Sequence, residues 1–424
     1  MFSILNKSLL TNGKDKNING VCKIFIFLLP LRQKMLTERE KNLITKYAGC
    51  DVNTLALKLH DTNEIRSKMV LQQIAGRELM KKKMPLWAEN PDIIYPVHLP
   101  MEQCSSVFTA DYKKEIAEKL VKDFSLFTDL TGGFGVDFFV ISEKFKKAVY
   151  NEKNADLCEI VRHNFKVLNR MNSEFFNADG VSFIQNTEEY FNLVFIDPAR
   201  RNSDGKKTVR IEDCEPDVLK FQDVMTEKSD FVMIKLSPMI DISDCVSKLK
   251  NLRELHIVAT SNECKEILTV LEKGFSNEPK IFTANDNQRF EFWMSDEREC
   301  TAEFYDGKDF DGKFLFEPNA AVMKSGAFKI LTKFFPVKKL HPSSHLYVSE
   351  RDVCDFPGRR FKIVKCGSVK DFRDIKTANL AVRNFPEKAD ILKKKLKIKD
   401  GGNIFLFATT LKAGEKVIIQ GEKN

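Results

Sequence analysis

The stretch Phe124-Ser125-Leu126-Phe127-Thr128-Asp129-Leu130-Thr131-Gly132-Gly133-Phe134-Gly135-Val136-Asp137 decides how this chain is read. An apolar run closed by an acid, then a Gly-rich turn, then renewed apolar residues spells strand, tight turn and helix. Further on, Lys147-Ala148-Val149-Tyr150-Asn151-Glu152 reads as a second short strand closed by an acid. A third candidate strand ends at Asn177-Ala178-Asp179, and a fourth, Leu193–Ile196, runs into Asp197-Pro198-Ala199-Arg200-Arg201. Open α/β sheets bind ligands just beyond the carboxyl ends of their strands. Asp129, Glu152, Asp179 and Asp197 are therefore expected around one crevice.

A Gly-rich turn with an acid about twenty residues later also suits a dinucleotide. That site needs G-x-G-x-x-G, whose third glycine packs the helix on the sheet while the helix N-terminus faces a pyrophosphate. Here Gly132-Gly133-Phe134-Gly135 is followed by Val136-Asp137-Phe138, with no third glycine, and Asp137 near the helix start would repel a diphosphate. S-adenosylmethionine carries a sulfonium and an ammonium instead. Asp129 suits a cation, Glu152 can bind both ribose hydroxyls, and Asp179 can accept from the adenine amine. Thr131, Gly132, Gly133 and Gly135 would form the turn around it. Each hydrogen bond to a charged group contributes about 1.5–3 kcal/mol.

On these residues the chain resembles class I S-adenosylmethionine-dependent methyltransferases, Asp129–Gly135 matching their first motif and Asp197-Pro198 the motif after strand four. Glu102-Gln103-Cys104-Ser105-Ser106 and Thr109-Ala110-Asp111-Tyr112-Lys113 extend the likeness. Together with the two motifs they resemble a bacterial family of predicted methyltransferases ending in a THUMP-like domain. The catalytic module of that family is similar to trimethylguanosine synthases and rRNA methyltransferases. The resemblance covers most of the chain from Met35 onward. It implies an α/β fold: a Rossmann-like seven-stranded core, an N-terminal helical domain and small C-terminal ferredoxin-like and THUMP-like modules. It also implies S-adenosylmethionine as cofactor, with Thr109 near its methionine end, and RNA as partner.

The expected organisation is an extension or mis-assigned start over 1–34, a helical domain over 35–95 and a methyltransferase core over 96–295. A ferredoxin-like module over 296–342 and a basic THUMP-like domain over 343–424 follow. Thr37 and Glu40 form a capping-box pattern that makes Met35 a natural beginning. The apolar run Ile24–Leu31 is broken by Pro30 and too short for a membrane span, which needs about 20 residues. Ten cysteines occur without a C-x-x-C pair or Cys/His cluster, which points to free thiols, no metal and a cytoplasmic setting.

The net charge of +8 is concentrated at one end. From Thr301 to Asn424 there are 25 Lys/Arg against 15 Asp/Glu, whereas the residues before carry a small acidic excess. A basic C-terminal third on a near-neutral body suggests attraction to a polyanion, most simply nucleic acid. The run Lys388–Lys399 contributes part of that excess, and also reads as a solvated helix face.

Methylating an exocyclic base amine requires alignment of a poorly nucleophilic nitrogen, and positioning of this kind supplies about 7–11 kcal/mol of a barrier. Asp197 and the carbonyl of Pro198 are placed to accept the two amine hydrogens. This matches the D/N/S-P-P-aromatic motif of amino methyltransferases in part: Ala199 stands at the second proline and Arg200 at the aromatic. Arg200 can stack on a base or pair with phosphate. Arg201, Lys206 and Lys207 are read as further substrate contacts, and Gln103 as a lining residue of the acceptor pocket. Asp-Pro-Ala-Arg also resembles C5-uridine RNA methyltransferases. Those need a cysteine just past strand five, where this chain has Lys235-Leu236-Ser237-Pro238.

The leading expectation is an S-adenosylmethionine-dependent methyltransferase acting on guanine N2 or adenine N6 in rRNA or tRNA. Two alternatives stay open: a non-catalytic RNA-binding or assembly factor on the same scaffold, and a methyltransferase with a protein or small-molecule acceptor.

Overall fold

In the computed structural model the described residues are 35–59, 66–200 and 210–423, so the readings made for 1–34, Arg201, Lys206 and Lys207 lie outside them. The chain forms two compact units that join in sequence between Phe183 and Ile184.

In the first unit Thr37 caps α1 (Glu38–Lys46). Its hydroxyl accepts the Glu40 N–H, and the Glu40 carboxylate accepts the Thr37 N–H at 2.9 Å. That buried carboxylate also receives the Arg66 guanidinium at 2.6 and 2.8 Å and the Arg66 N–H at 3.1 Å. Burial works to raise the pKa of Glu40, but the Arg66 guanidinium and the two backbone N–H groups hold it at about 2. Three more helices, α2 (Val52–Ala56), α3 (Ser67–Lys83) and α4 (Pro85–Glu89), follow and make this part of the chain helical. Ile44, Leu55, Val70 and Ile74 form its core. Trp87 on α4 meets Phe134 of the Gly-rich turn edge-on at 5.2 Å, so this domain packs directly against that turn.

After α5 (His98–Gln103) and α6 (Val107–Leu120) the chain alternates strand and helix: β1 (Leu126–Asp129), α7 (Val136–Ile141), β2 (Lys147–Asn151), α8 (Ala155–Val167), β3 (Ser173–Phe176), α9 (Gly180–Asn186). The strands lie parallel in the order β1-β2-β3, with Asp129 level with Tyr150 and Tyr150 level with Phe175. Phe138 of α7 packs on Phe127, Tyr150 and Phe165 at 5.4–5.6 Å between centroids. A charged pair sits in this core. The fully buried Lys113 ammonium lies 3.2 Å from Asp137 and donates to Ser105 at 3.1 Å, while Ser105 donates to Asp137 at 2.8 Å.

In the second unit β4 (Phe191–Ile196) leads to the short ribbon strands β5 (Ala199–Arg200) and β6 (Cys214–Glu215). There follow α10 (Val218–Glu227), β7 (Ser229–Leu236) and α11 (Ile242–Lys248). β7 is parallel to β4. From here the strands no longer all run parallel. β8 (Leu252–Thr260) turns through Ser261 and Asn262, both at positive φ, into β9 (Glu263–Glu272). Two such residues make a type I′ hairpin turn. β9 enters antiparallel between β7 and β8, and its polar start, Glu263–Glu266, conceals the apolar half that follows. β10 (Lys280–Asn285) is parallel to β8, and β11 (Gln288–Trp293) antiparallel to β10.

Beyond α12 (Met294–Glu299) come β12 (Phe314–Pro318), α13 (Ala320–Ser325), α14 (Leu331–Phe334), β13 (Lys338–Lys339), β14 (Tyr347–Ser349) and β15 (Gly358–Gly367). β16 (Asn379–Arg383), α15 (Ala389–Leu396), β17 (Ile404–Thr410) and β18 (Lys416–Lys423) follow. All seven strands join one sheet in the order β13-β14-β12-β15-β18-β17-β16. Glu317 of β12, nearly inaccessible, accepts from Arg359 of β15 and from Arg383 of β16. α15 buries Leu392 and Leu396 on Leu406 and Ile418. Of its lysines, Lys393 pairs with Asp400 and Lys395 with Glu387, whereas Lys394, like Lys397 and Lys399 just beyond the helix, is exposed. Among the described residues no helix is long and apolar enough to cross a membrane, and no group of His, Cys, Asp and Glu could hold a metal ion.

Asp137→Ala strands the Lys113 ammonium in the core and should cost about 3–5 kcal/mol in urea unfolding, whereas a Lys113→Met/Asp137→Leu pair should lose less than either single change. Glu40 carries a pKa of about 2 in the fold against an ordinary 4.5. Its contribution is therefore complete above the ordinary value and is lost as pH falls from there through the folded one. Glu40→Gln should flatten the pH dependence of Tm across that window; an unchanged profile would show that the pair does not stabilise.

Candidate functional site

The Gly-rich turn is built from hydrogen bonds between the ends of β1 and β2. Asp129, 1 % exposed, accepts the Thr131 N–H at 2.9 Å, and Gly132 N–H donates to the Asn151 carbonyl at 2.8 Å. Asn151 in turn donates to the Asp129 carbonyl at 3.0 Å. Gly133 N–H donates to Glu152 Oε2 at 3.1 Å, and Asn154 N–H to Glu152 Oε1 at 2.8 Å. The Tyr150 hydroxyl donates to the Gly133 carbonyl at 2.6 Å. Burial pushes that phenol well above its usual pKa, with the Glu152 charge adding to the effect, so it stays a donor. The glycines have distinct reasons. A Cβ on Gly132 would stand 2.0 Å from the Tyr150 ring, while Gly133 and Gly135 take φ of +55° and +82°.

Three of the predicted acids thus follow three adjacent parallel strands at the same end. Glu152 is fixed through both carboxylate oxygens by backbone N–H groups, and each oxygen has a second lone pair with which to meet a hydroxyl. Asp179 is committed locally. Its Oδ1 accepts the Ser182 N–H at 2.8 Å in the first turn of α9, and Oδ2 pairs with Lys153 at 2.5 Å. Burial works against ionisation there, yet the Lys153 ammonium and the Ser182 N–H hold its carboxyl below the usual range. Gly180 beside it has no room for a side chain, since a Cβ would lie 1.9 Å from the Leu130 carbonyl oxygen.

Thr109 is buried, and its hydroxyl closes a reciprocal cap with Ser106 at the start of α6. Gln103 is exposed at the end of α5, where Lys83 donates to the Met101 and Cys104 carbonyls. The charge of Asp137, near the helix start, is paired with the buried Lys113 ammonium. The case against a diphosphate rests instead on Phe138. It stands where the third glycine would be and spaces the helix from the sheet with a fully buried ring.

The remaining acid lies in the second unit. Asp197 follows β4, and the parallel register, Ile196 with Ile234, sets it level with Lys235 of β7. The Lys235 ammonium donates to Asp197 Oδ2 at 2.6 Å; the lysine side chain is 12 % exposed and the aspartate 37 %. Pro198 is buried, and Ala199 and Arg200 pair with Glu215 and Cys214 in the β5–β6 ribbon. Cys214 is buried in that ribbon.

Tyr150, Asn151, Lys113 and Lys235 had no role in the sequence reading. Lys235 left a usable trace, a lone charge inside the strand Phe231–Leu236. A groove of about 470 Å³ runs along β3, lined among others by Arg162, Lys166 and Phe176. It lies away from the Gly-rich turn, so the chemistry rather than the size of a cavity identifies the site.

Two family models match the C-terminal part: a ferredoxin-like domain over 314–357 and a THUMP domain-like family over 358–423. Among solved structures, a "putative methyltransferase" from Porphyromonas gingivalis W83 is 29 % identical, with a TM-score of 0.80 over 92 % of this chain and all of that one. Much looser likenesses include an rRNA methylase from Streptococcus thermophilus, 14 % identical over 38 % of this chain and 95 % of that one, TM-score 0.30. Another is TrmK of M. capricolum in complex with S-adenosylhomocysteine, 13 % identical over 42 % and 70 %, TM-score 0.29. No curated protein matches the sequence. The chain thus shares the fold of the Porphyromonas methyltransferase along most of its length and ends in ferredoxin-like and THUMP-like domains.

Proposed function

We propose that this protein is an S-adenosylmethionine-dependent RNA methyltransferase that modifies a base exocyclic amine, guanine N2 or adenine N6, in rRNA or tRNA. The observation that carries the reading is the Gly-rich turn locked onto Glu152, with the buried Asp129 at the neighbouring strand end. Two carboxylates and a glycine turn that repeats no dinucleotide spacing suit a cationic nucleoside. S-adenosylmethionine, when bound, supplies a methyl group on a sulfonium. Asp129 faces that positive charge, Glu152 takes the ribose hydroxyls, and the Thr131–Gly135 turn carries the rest. Asp179, held by Lys153 and the Ser182 N–H, accepts from the adenine amine.

Asp197 and Pro198 act on the acceptor. An ionised carboxylate only accepts hydrogen bonds, so Asp197 takes one amine hydrogen and the Pro198 carbonyl the other, orienting the nitrogen lone pair. Arg200, with Arg201, Lys206 and Lys207, meets the RNA; Thr109 lies near the methionine end of the cofactor and Gln103 lines the acceptor pocket. The exposed lysines of the THUMP-like domain supply attraction for phosphate, as the basic C-terminal third suggested.

Calorimetry provides the first test: the wild type should bind S-adenosylmethionine, and Glu152→Ala should weaken binding at least tenfold. No binding by the wild type would remove the enzyme reading and leave an RNA-binding factor. Mass spectrometry of nucleosides from cells with and without the gene should reveal one missing N-methylated base; an unchanged RNA profile would point to a protein or small-molecule acceptor. For the RNA contact, the shared seven-stranded sheet makes deletion of the last domain destructive, so charge changes are preferable. Lys394→Ala with Lys399→Ala should reduce the slope of log K against log salt by about 1.4–1.8, if both lysines contact phosphate. An unaltered slope would take this face out of the interface.

A further inference from the structure

We infer that Lys235 is the positioning residue of the acceptor site, holding Asp197 in the orientation from which it receives the substrate amine. The inference rests on the reading of Asp197 given above and adds the residue through which Asp197 is controlled.

The geometry is set by the backbone before any side chain is considered. β4 and β7 run parallel with Ile196 beside Ile234, so the next residue of each strand, Asp197 and Lys235, emerge side by side. Strand ends of this kind carry ligand sites in α/β proteins. Phe231 to Leu236 is otherwise apolar, and Val232, Met233, Ile234 and Leu236 are buried. A lysine in such a strand places its ammonium where water is scarce, and a charge in that setting requires a counter-charge. Asp197 supplies it at 2.6 Å.

The exposure of the two partners is unequal, and that gives the pair its direction. The lysine is the sheltered member, at 12 %, and the carboxylate the accessible one, at 37 %. A flexible acid at a strand end ordinarily samples several rotamers. Tied to a sheltered ammonium, Asp197 is confined to the rotamer that keeps Oδ2 on Lys235, which fixes the direction in which its carboxylate is presented. Catalytic geometry is sensitive to this kind of constraint: a displacement of about 1 Å costs on the order of 100-fold in rate. The charge consequence points the same way. A carboxylate whose charge is already balanced offers hydrogen-bond acceptance without net attraction for cations. That favours the neutral amine of a base over the ammonium of a protein lysine.

The test uses the full-length protein, labelled S-adenosylmethionine and total RNA from cells lacking the gene. Lys235→Met keeps the apolar stem, removes the sheltered charge and leaves a solvent-reached carboxylate, so the fold should persist. We expect kcat to fall about 100-fold, while KM for RNA and the calorimetric affinity for S-adenosylmethionine stay within about twofold of wild type. Lys235→Arg, which restores a donor, should recover at least tenfold. Adding Lys235→Met to Asp197→Asn should cost little beyond Asp197→Asn alone, because both act through one contact. A Lys235→Met enzyme with wild-type kcat, beside an inactive Asp197→Asn, would overturn the role of Lys235 and leave the proposed function standing. Equal losses of kcat, cofactor affinity and thermal stability without rescue by arginine would overturn it too, as a purely structural effect. Absence of methyl transfer to RNA by the wild type would instead remove the proposed function, and this inference with it.

Discussion

The approach of Gly132 to the face of Tyr150 is the constraint on which the candidate cofactor site depends. With no side chain at 132, the turn leaving β1 can lie against the ring at the end of β2, and the Tyr150 hydroxyl then reaches the Gly133 carbonyl. That contact brings the Gly133 N–H onto Glu152 and leaves Asp129 folded back on Thr131. A methyl group at 132 would overlap the ring, and a small buried aromatic core that includes Phe138 and Phe165 gives the ring nowhere to go.

Around that turn the first unit spends unusual resources on rigidity. Trp87 braces Phe134 from the helical domain, and Asn164 exchanges two hydrogen bonds with the backbone of Ile94. The Lys113–Asp137–Ser105 cluster ties α6 to α7 through buried charge. A buried pair of this kind adds little net stability over an apolar substitute but is costly to break on one side. Its consequence here is registration, since it couples the helix after the turn to the segment that precedes the sheet.

The second unit uses the same device twice, at different places. Lys235 and Asp197 join adjacent parallel strand ends, with the acid accessible. Glu317 joins β12, β15 and β16 with the acid buried and two arginines partly exposed. The first arrangement leaves its carboxylate partly exposed, while the second joins strands of the ferredoxin-like and THUMP-like domains within one sheet.

Local signals in the chain were enough for the βα alternation, the Gly-rich turn, the Thr37–Glu40 cap and the basic helix. Each depends on periodicity or on a cap within a few residues. The fold class and the strand-end positions of Asp129 and Glu152 were legible for that reason. The antiparallel entry of β9 was not, because polar residues open that strand and its partners, β7 and β8, are chosen by pairing rather than by pattern. Nor could the chain alone disclose that Lys113 neutralises Asp137, that Lys153 and Ser182 occupy Asp179, or that Lys235 holds Asp197. Those partners are between 3 and 38 residues apart, and a charge reveals its function only when folding decides what stands opposite it.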